Sequence, residues 1–150
     1  MQLHIFRQKS VYSEAVYFFL VLRFEALNKK RLELVNQYLS QVEDNKNKFL
    51  IYIFKNCPKG ITGLIEGHAA EKYEKHVMVS SVDNNGKAVS SVRTYGEFNL
   101  MEVFKYVSKH IDMSFGVHKS AVGVSYNIKD LKKVQDLLTN TQKKIRLKKK

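Results

Sequence analysis

The sequence contains a single cysteine, Cys57, and a single proline, Pro58. One thiol cannot close an intrachain disulfide, and without a second cysteine there is no CxxC pair to build a zinc site with the five scattered histidines. Disulfide scaffolds and zinc fingers are thereby excluded. Long apolar runs are lacking too. The most apolar stretch, Ala15 to Leu22, falls far short of the roughly 20 residues that cross a bilayer, and Arg23 and Glu25 follow it directly. Glu14 stands at its leading edge and no small-residue cleavage site follows, so it does not read as a signal peptide. A cytoplasmic protein is expected, with no membrane partner.

Acids are the scarcest of the charged residues. Fourteen Asp and Glu face 26 Lys and Arg, a formal charge of +12, and six of those cations fall after Thr141, leaving +6 for the residues before them. Such an excess favours a polyanionic partner, nucleic acid before anionic lipid. Catalytic motifs are also missing. There is no Asp-His-His run, no HExxH, no P-loop and no GxGxxG; Gly60, Gly63 and Gly67 have the wrong spacing and no following Lys-Ser/Thr. The only adjacent acids, Glu43 and Asp44, sit beside Lys46 and Lys48, a poor place for a metal cluster. The residues supply no catalytic set, and no metal or other cofactor is expected to be held by this chain.

What is present is the pattern of an α/β domain. No glycine or proline interrupts Ser13 to Asp44, where apolar residues recur at three- and four-residue steps, which reads as one long helix or two abutting at the polar, basic Asn28 to Arg31. Phe49 to Phe54 reads as a buried, central strand, Ile61 to Tyr73 as a helix, and Val77 to Val82 as a second strand, the order of a parallel unit. Asp83-Asn84-Asn85-Gly86 signals a tight hairpin into a third strand, Lys87 to Thr94. Asn99 is placed to cap a helix, with Glu102 three residues on and Phe98 and Val103 placed to staple its entry; its apolar stripe runs from Leu100 to Ile111. Phe115 to His118 reads as a loop, Ala121 to Tyr126 as a strand, and Ile128 to about Leu138 as an amphipathic helix. The expected architecture is α/β, a mixed sheet of four to five strands flanked by helices and preceded by a long N-terminal connector helix. Residues 1–46 form the connector region, 47–141 the domain and 142–150 a basic tail.

Two segments offer groups for a phosphate. Ser90, Ser91 and Arg93 lie along one strand, where a guanidinium can give two parallel hydrogen bonds. Gly116, His118 and Lys119 lie in a loop followed by Ala121 and Gly123, where backbone is accessible and donors are at hand. Each segment alone is as readily an ordinary edge strand or surface loop.

Taken in order, Lys59-Gly-Ile-Thr-Gly-Leu-Ile-Glu-Gly67, Glu71-Lys-Tyr73, Val77-Met-Val-Ser80, Gly86-Lys-Ala-Val-Ser-Ser-Val-Arg93, Gly96-Glu-Phe-Asn-Leu100, Phe115-Gly-Val-His118 and Ala121-Val-Gly123 resemble the DHH-associated domain of RecJ-type single-strand-specific exonucleases. The helix through Leu27 to Arg31 resembles the family's connector. The resemblance implies a substrate-gripping domain that closes over a single strand together with a separate DHH catalytic domain, which would bring Mn or Mg. It puts Arg93 of the Ser-x-Arg strand, with Ser90 and Ser91, and His118 with Gly116 and Lys119 of the glycine-histidine loop, at the substrate phosphates. A partner of single-stranded nucleic acid, DNA ahead of RNA, follows. The chain departs from the family pattern at Val117, where a second glycine is usual, and at Pro58, where a histidine is common. Two other readings remain, a stand-alone basic binding module and the associated domain of an oligonucleotide or cyclic-dinucleotide phosphodiesterase.

Overall fold

The computed structural model describes residues 11–58, 60–116 and 121–148, with backbone alone considered for 11, 12 and 142–148. The elements are α1 (Val11–Leu39), β1 (Phe49–Lys55), α2 (Ile61–Tyr73), β2 (His76–Val82), β3 (Lys87–Arg93), α3 (Leu100–Val107), β4 (Met113–Phe115), β5 (Ala121–Asn127), a short 3-10 turn (Ile128–Asp130) and α4 (Leu131–Lys148). The strands form one five-stranded sheet in the order β1-β2-β3-β5-β4. β1 and β2 are parallel, as the strand-helix-strand order predicts, and every other pairing is antiparallel. The mixed α/β sheet expected from the sequence is therefore present.

Strand alternation sends successive side chains to opposite faces, and two cores result. On one face Phe49, Met78, Ala88, Val92, Val122, Val124 and Tyr126 pack against Leu100, Val103, Phe104 and Val107 of α3 and Val134 and Leu138 of α4. On the other, Leu50, Val77 and Val79 pack against Ile61, Ile65, Ala69 and Ala70 of α2 and Val35 of α1. The hairpin between β2 and β3 is closed by Asp83, whose carboxylate accepts from the backbone N–H groups of Asn85 and Lys87, and Gly86 takes the positive φ of +80° that the turn requires. α3 starts at its expected cap: Asn99 Oδ1 accepts from the Met101 N–H at 3.1 Å, and Phe98 packs on the cluster that contains Val103.

The differences from the sequence reading have local causes. β1 lies at a sheet edge rather than at its centre; its apolar run reflects helices on both faces, a signal that does not depend on position within the sheet. α1 is one continuous helix with no break at Asn28 to Arg31, and it ends at Leu39 instead of Asp44. α3 ends at Val107, four residues before the buried Ile111 that prolongs its stripe. Phe115, read as the start of a loop, ends a three-residue strand, Met113–Phe115, too short for alternation to show. α4 continues ten residues past Leu138, so the basic segment up to Lys148 is helical in its backbone.

Only the C-terminal part of α1 is packed. From Leu34 onward it meets α2 and the sheet, and Arg31 reaches the Gly60 carbonyl at 3.4 Å. Before that, Val16, Tyr17, Phe18, Phe19, Leu20, Leu22, Phe24 and Leu27 are all exposed, at 48–71%. No described helix is long and apolar enough to cross a membrane.

Truncating a core side chain and removing the α3 cap should differ in scale. Phe104→Ala, at a fully buried position, is expected to cost about 3–5 kcal/mol, and Asn99→Ala about 1 kcal/mol. Urea unfolding monitored by circular dichroism measures both.

Candidate nucleic-acid interface

α2 lies against the sheet at two glycines. A Cβ on Gly63 would stand 3.7 Å from Ser91 Oγ, and one on Gly67 would stand 3.7 Å from the Arg93 guanidinium carbon. The helix is therefore close to β3, and side chains of the strand fill the space that larger helix residues would take. Two polar contacts cross this seam, one helical turn apart. Thr62 Oγ1 and Ser91 Oγ are 3.1 Å apart, and Arg93 Nε donates to Glu66 Oε2 at 3.1 Å and Oε1 at 3.3 Å.

Beyond this seam no described helix covers the same face of the sheet. Register places Ala121 beside Arg93, Gly123 beside Ser91, Ser125 beside Val89 and Asn127 beside Lys87, and Ser114 beside Ser125 in turn. The result is a trough walled by α2 and floored by small residues. Gly116 closes its far side by donating its N–H to the Gly123 carbonyl at 2.8 Å, and Ser114 and Ser125 share a hydroxyl contact at 2.7 Å. A hollow of about 210 Å³ lies over Val89, Gly116, Gly123 and Ser125, and one of about 510 Å³ continues past Ser114 and Ser125 to Lys87, Asn127, Asp112 and Asp130. Val89 is an exposed apolar residue on the floor. A Cβ on Gly123 would meet nothing within 4 Å.

The two segments picked out in the sequence are thus brought together: Ser91 and Arg93 on β3 adjoin Gly123 and Ala121 on β5, with Gly116 next to them. Ser90 is a correction. Adjacent strand residues point to opposite faces, so its side chain is buried on the α3 and α4 side, where its Oγ lies 2.7 Å from Ser80 Oγ, itself 3.4 Å from Tyr126 OH. Ser90 and Ser91 do not form a hydroxyl pair, and Ser90 does not reach the trough. His118 and Lys119 lie outside the described residues, in the connection between Gly116 and Ala121.

Glu66 was not evident from motifs. It is 3% exposed, on the stripe of α2 shared with Thr62, Ala69 and Ala70. An acid in phase with a helix's buried stripe is the signal that finds it. Burial raises its carboxyl from 4.5 to about 7, while the Arg93 charge and hydrogen bond pull it back down. Arg93 keeps about half of its side-chain surface exposed, and its terminal nitrogens have no hydrogen-bond partner among the described residues. The guanidinium is held by Nε and open at its fork.

For a metal the donors do not fit: among the described residues no group of three or more His, Cys, Asp and Glu side chains comes together. Asp44 is paired with Lys75. No metal-dependent step is assigned to these residues.

The sequence matches no protein-family model and no curated protein. The fold has similar solved structures. RecJ from Thermus thermophilus in complex with Mg2+ superposes with a TM-score of 0.69 at 18% identity, over 81% of this chain and 19% of that one. Exonuclease RecJ bound to manganese gives 0.67 at 18% identity, over 81% and 31%. The DHH domain of a member of the s1p family of ribosomal proteins gives 0.63 at 14% identity, over 88% and 34%. The chain spans between a fifth and a third of the length of these structures, and the likeness is one of fold.

Glu66 makes folding stability depend on pH in a known direction. Its folded value lies above its unfolded one, so the native state holds the proton more tightly. That stabilisation is complete below about pH 4.5, declines as pH rises and is lost above about pH 7. Glu66→Gln has no proton to release. Its melting temperature relative to the parent should therefore rise between pH 4.5 and pH 8, by on the order of 5 °C. Differential scanning calorimetry reads the difference, which a solvated carboxylate would leave constant.

Proposed function

We propose that this chain is the substrate-gripping part of a RecJ-like 5′→3′ single-stranded DNA exonuclease, acting as a fragment, a split subunit or a remnant beside a separate DHH catalytic domain. The observation that carries the reading is Arg93. Its guanidinium is held to α2 through Nε, keeps about half of its side-chain surface exposed and borders the open trough, and a guanidinium can take a phosphate bidentately. Small floor residues at Gly123, Ser91 and Ser125 leave room for a strand to lie across the sheet, with hydroxyls and Lys87 along its path. The fold shared with RecJ supports the same reading.

In this division of labour the chain binds and orients phosphates by Arg93 and Ser91, joined by His118, Lys119 and the Gly116 backbone from the β4–β5 connection. The hydrolytic metal chemistry would come from the DHH domain. The exposed apolar length of α1, Val16 to Leu27, supports a partner domain packed along it. The +12 charge supports a polyanionic ligand, with the Lys-rich end of α4 as a further, sequence-independent attraction.

Arg93→Ala and deletion after Thr141 should separate fixed from diffuse contacts. The first is expected to weaken binding of a labelled single-stranded oligonucleotide by on the order of 1–3 kcal/mol with the salt slope reduced by about one unit. The second removes six cations and should flatten the slope further. Fluorescence anisotropy across a salt series measures both; parental binding by a folded Arg93→Ala protein would refute the phosphate site.

A further inference from the structure

The Arg93 fork has an unusual backing. A guanidinium that only gripped phosphate would need no acid behind it, yet here Nε rests on a buried carboxylate. The arrangement has two consequences that pull in opposite directions. The bonds from Nε to both Glu66 oxygens hold the guanidinium in place, which spares a bound phosphate part of the cost of ordering it. The charge on the carboxylate, when present, repels any anion that approaches the same guanidinium, in surroundings where burial limits screening.

We propose that Glu66 is the positioning residue of the phosphate site and makes its grip proton-linked, so that a single strand binds Arg93 more tightly when Glu66 is protonated. This rests on the reading of Arg93 as a phosphate contact. Protonated Glu66 still accepts from Nε through its carbonyl oxygen, so the guanidinium stays aimed while the competing negative charge is gone. A bound phosphate, conversely, makes Glu66 harder to ionise, and binding takes up a proton.

Among the described residues, the groups around Glu66 leave Arg93 as its counter-charge. β2 turns Val77 and Val79 to this side and β3 turns Ser91 and Arg93. α1 brings Val35 and Tyr38, with Arg31 at Gly60, one and a half turns along α2. On α2 itself His68, Glu71 and Lys72 are exposed. Burial raises the Glu66 carboxyl to about 7 against the pull of Arg93, which sets the lower end of the working range. His76, lowered by its burial and by Lys48, titrates below that range.

The test is the pH profile of binding to a fluorescein-labelled oligothymidylate, read by anisotropy at constant ionic strength from about pH 6 to pH 9. For the parent, Kd should rise with pH by about threefold to tenfold, mostly above pH 7. Glu66→Gln, which keeps the acceptor without the charge, should lose most of that rise and bind at least as tightly as the parent at about pH 8.5. Glu66→Ala should bind more weakly than Glu66→Gln throughout, since the guanidinium is no longer held. A Glu66→Gln profile parallel to the parent's overturns the proposal. So does equal binding by the Gln and Ala variants. Arg93→Ala distinguishes the underlying reading: parental affinity at every pH means that the phosphate site itself is absent. Should either Glu66 variant fail to fold, carbon-detected NMR of the parent decides. The Glu66 carboxyl midpoint must move to higher pH on saturation with the oligothymidylate, and an unmoved midpoint refutes the linkage.

Discussion

The seam between α2 and β3, where Gly63 and Gly67 face Ser91 and Arg93, is the constraint from which most of what distinguishes this face of the protein follows. Ser91 and Arg93 fill the space that larger helix side chains would occupy. Because α2 lies over β2 and the near side of β3, the apolar cover of that face ends there, and β5 and β4 continue beyond it with glycine and serine, while Val122 and Val124 of β5 and Met113 and Phe115 of β4 go to the other side. The trough is thus what remains of a sheet face covered on one half only. Its shape comes from packing, and its polarity from alternation along β3 and β5.

The seam is also where the structure spends stability. A buried carboxylate is costly unless paired and hydrogen-bonded, and among the described residues Glu66 is paired with Arg93 through Nε, while the arginine side chain stays about half exposed. By contrast, the buried hydroxyls of Ser80, Ser90 and Tyr126 satisfy one another on the opposite face. One cluster is closed on itself. In the other, Arg93 keeps about half of its side-chain surface exposed, and its terminal nitrogens bond to none of the described residues.

Much of the fold was legible in the sequence because each signal was local. α2 spans Ile61–Tyr73 as read, the Asp83 to Gly86 turn forms as its residues require, and Asn99 caps α3. What was not legible depends on partners distant in sequence. An apolar run such as Phe49 to Phe54 reports burial on two faces but not its neighbours, so the edge position of β1 could not be read from it. β4 exists because β5 is there to pair with it. For the site, the grouping of Arg93 and Ser91 with Gly116 came from resemblance to RecJ-type domains, and the register explains it; Ser90 was included because adjacency in sequence was allowed to stand for adjacency in space. Glu66 was overlooked for the opposite reason, since its phase on α2 marks it as buried and only its partner across the seam gives it meaning.

The exposed length of α1 gives the free chain a second response to ionic strength. At low salt, a net charge of +12 keeps like molecules apart. Added salt shortens the range of that repulsion to about 10 Å at 0.1 M, while the contact preference of Phe18, Phe19, Phe24 and their neighbours is left undiminished. Electrolyte therefore draws these helices toward one another, so the same change of medium that screens the basic surface promotes colloidal association through the apolar one.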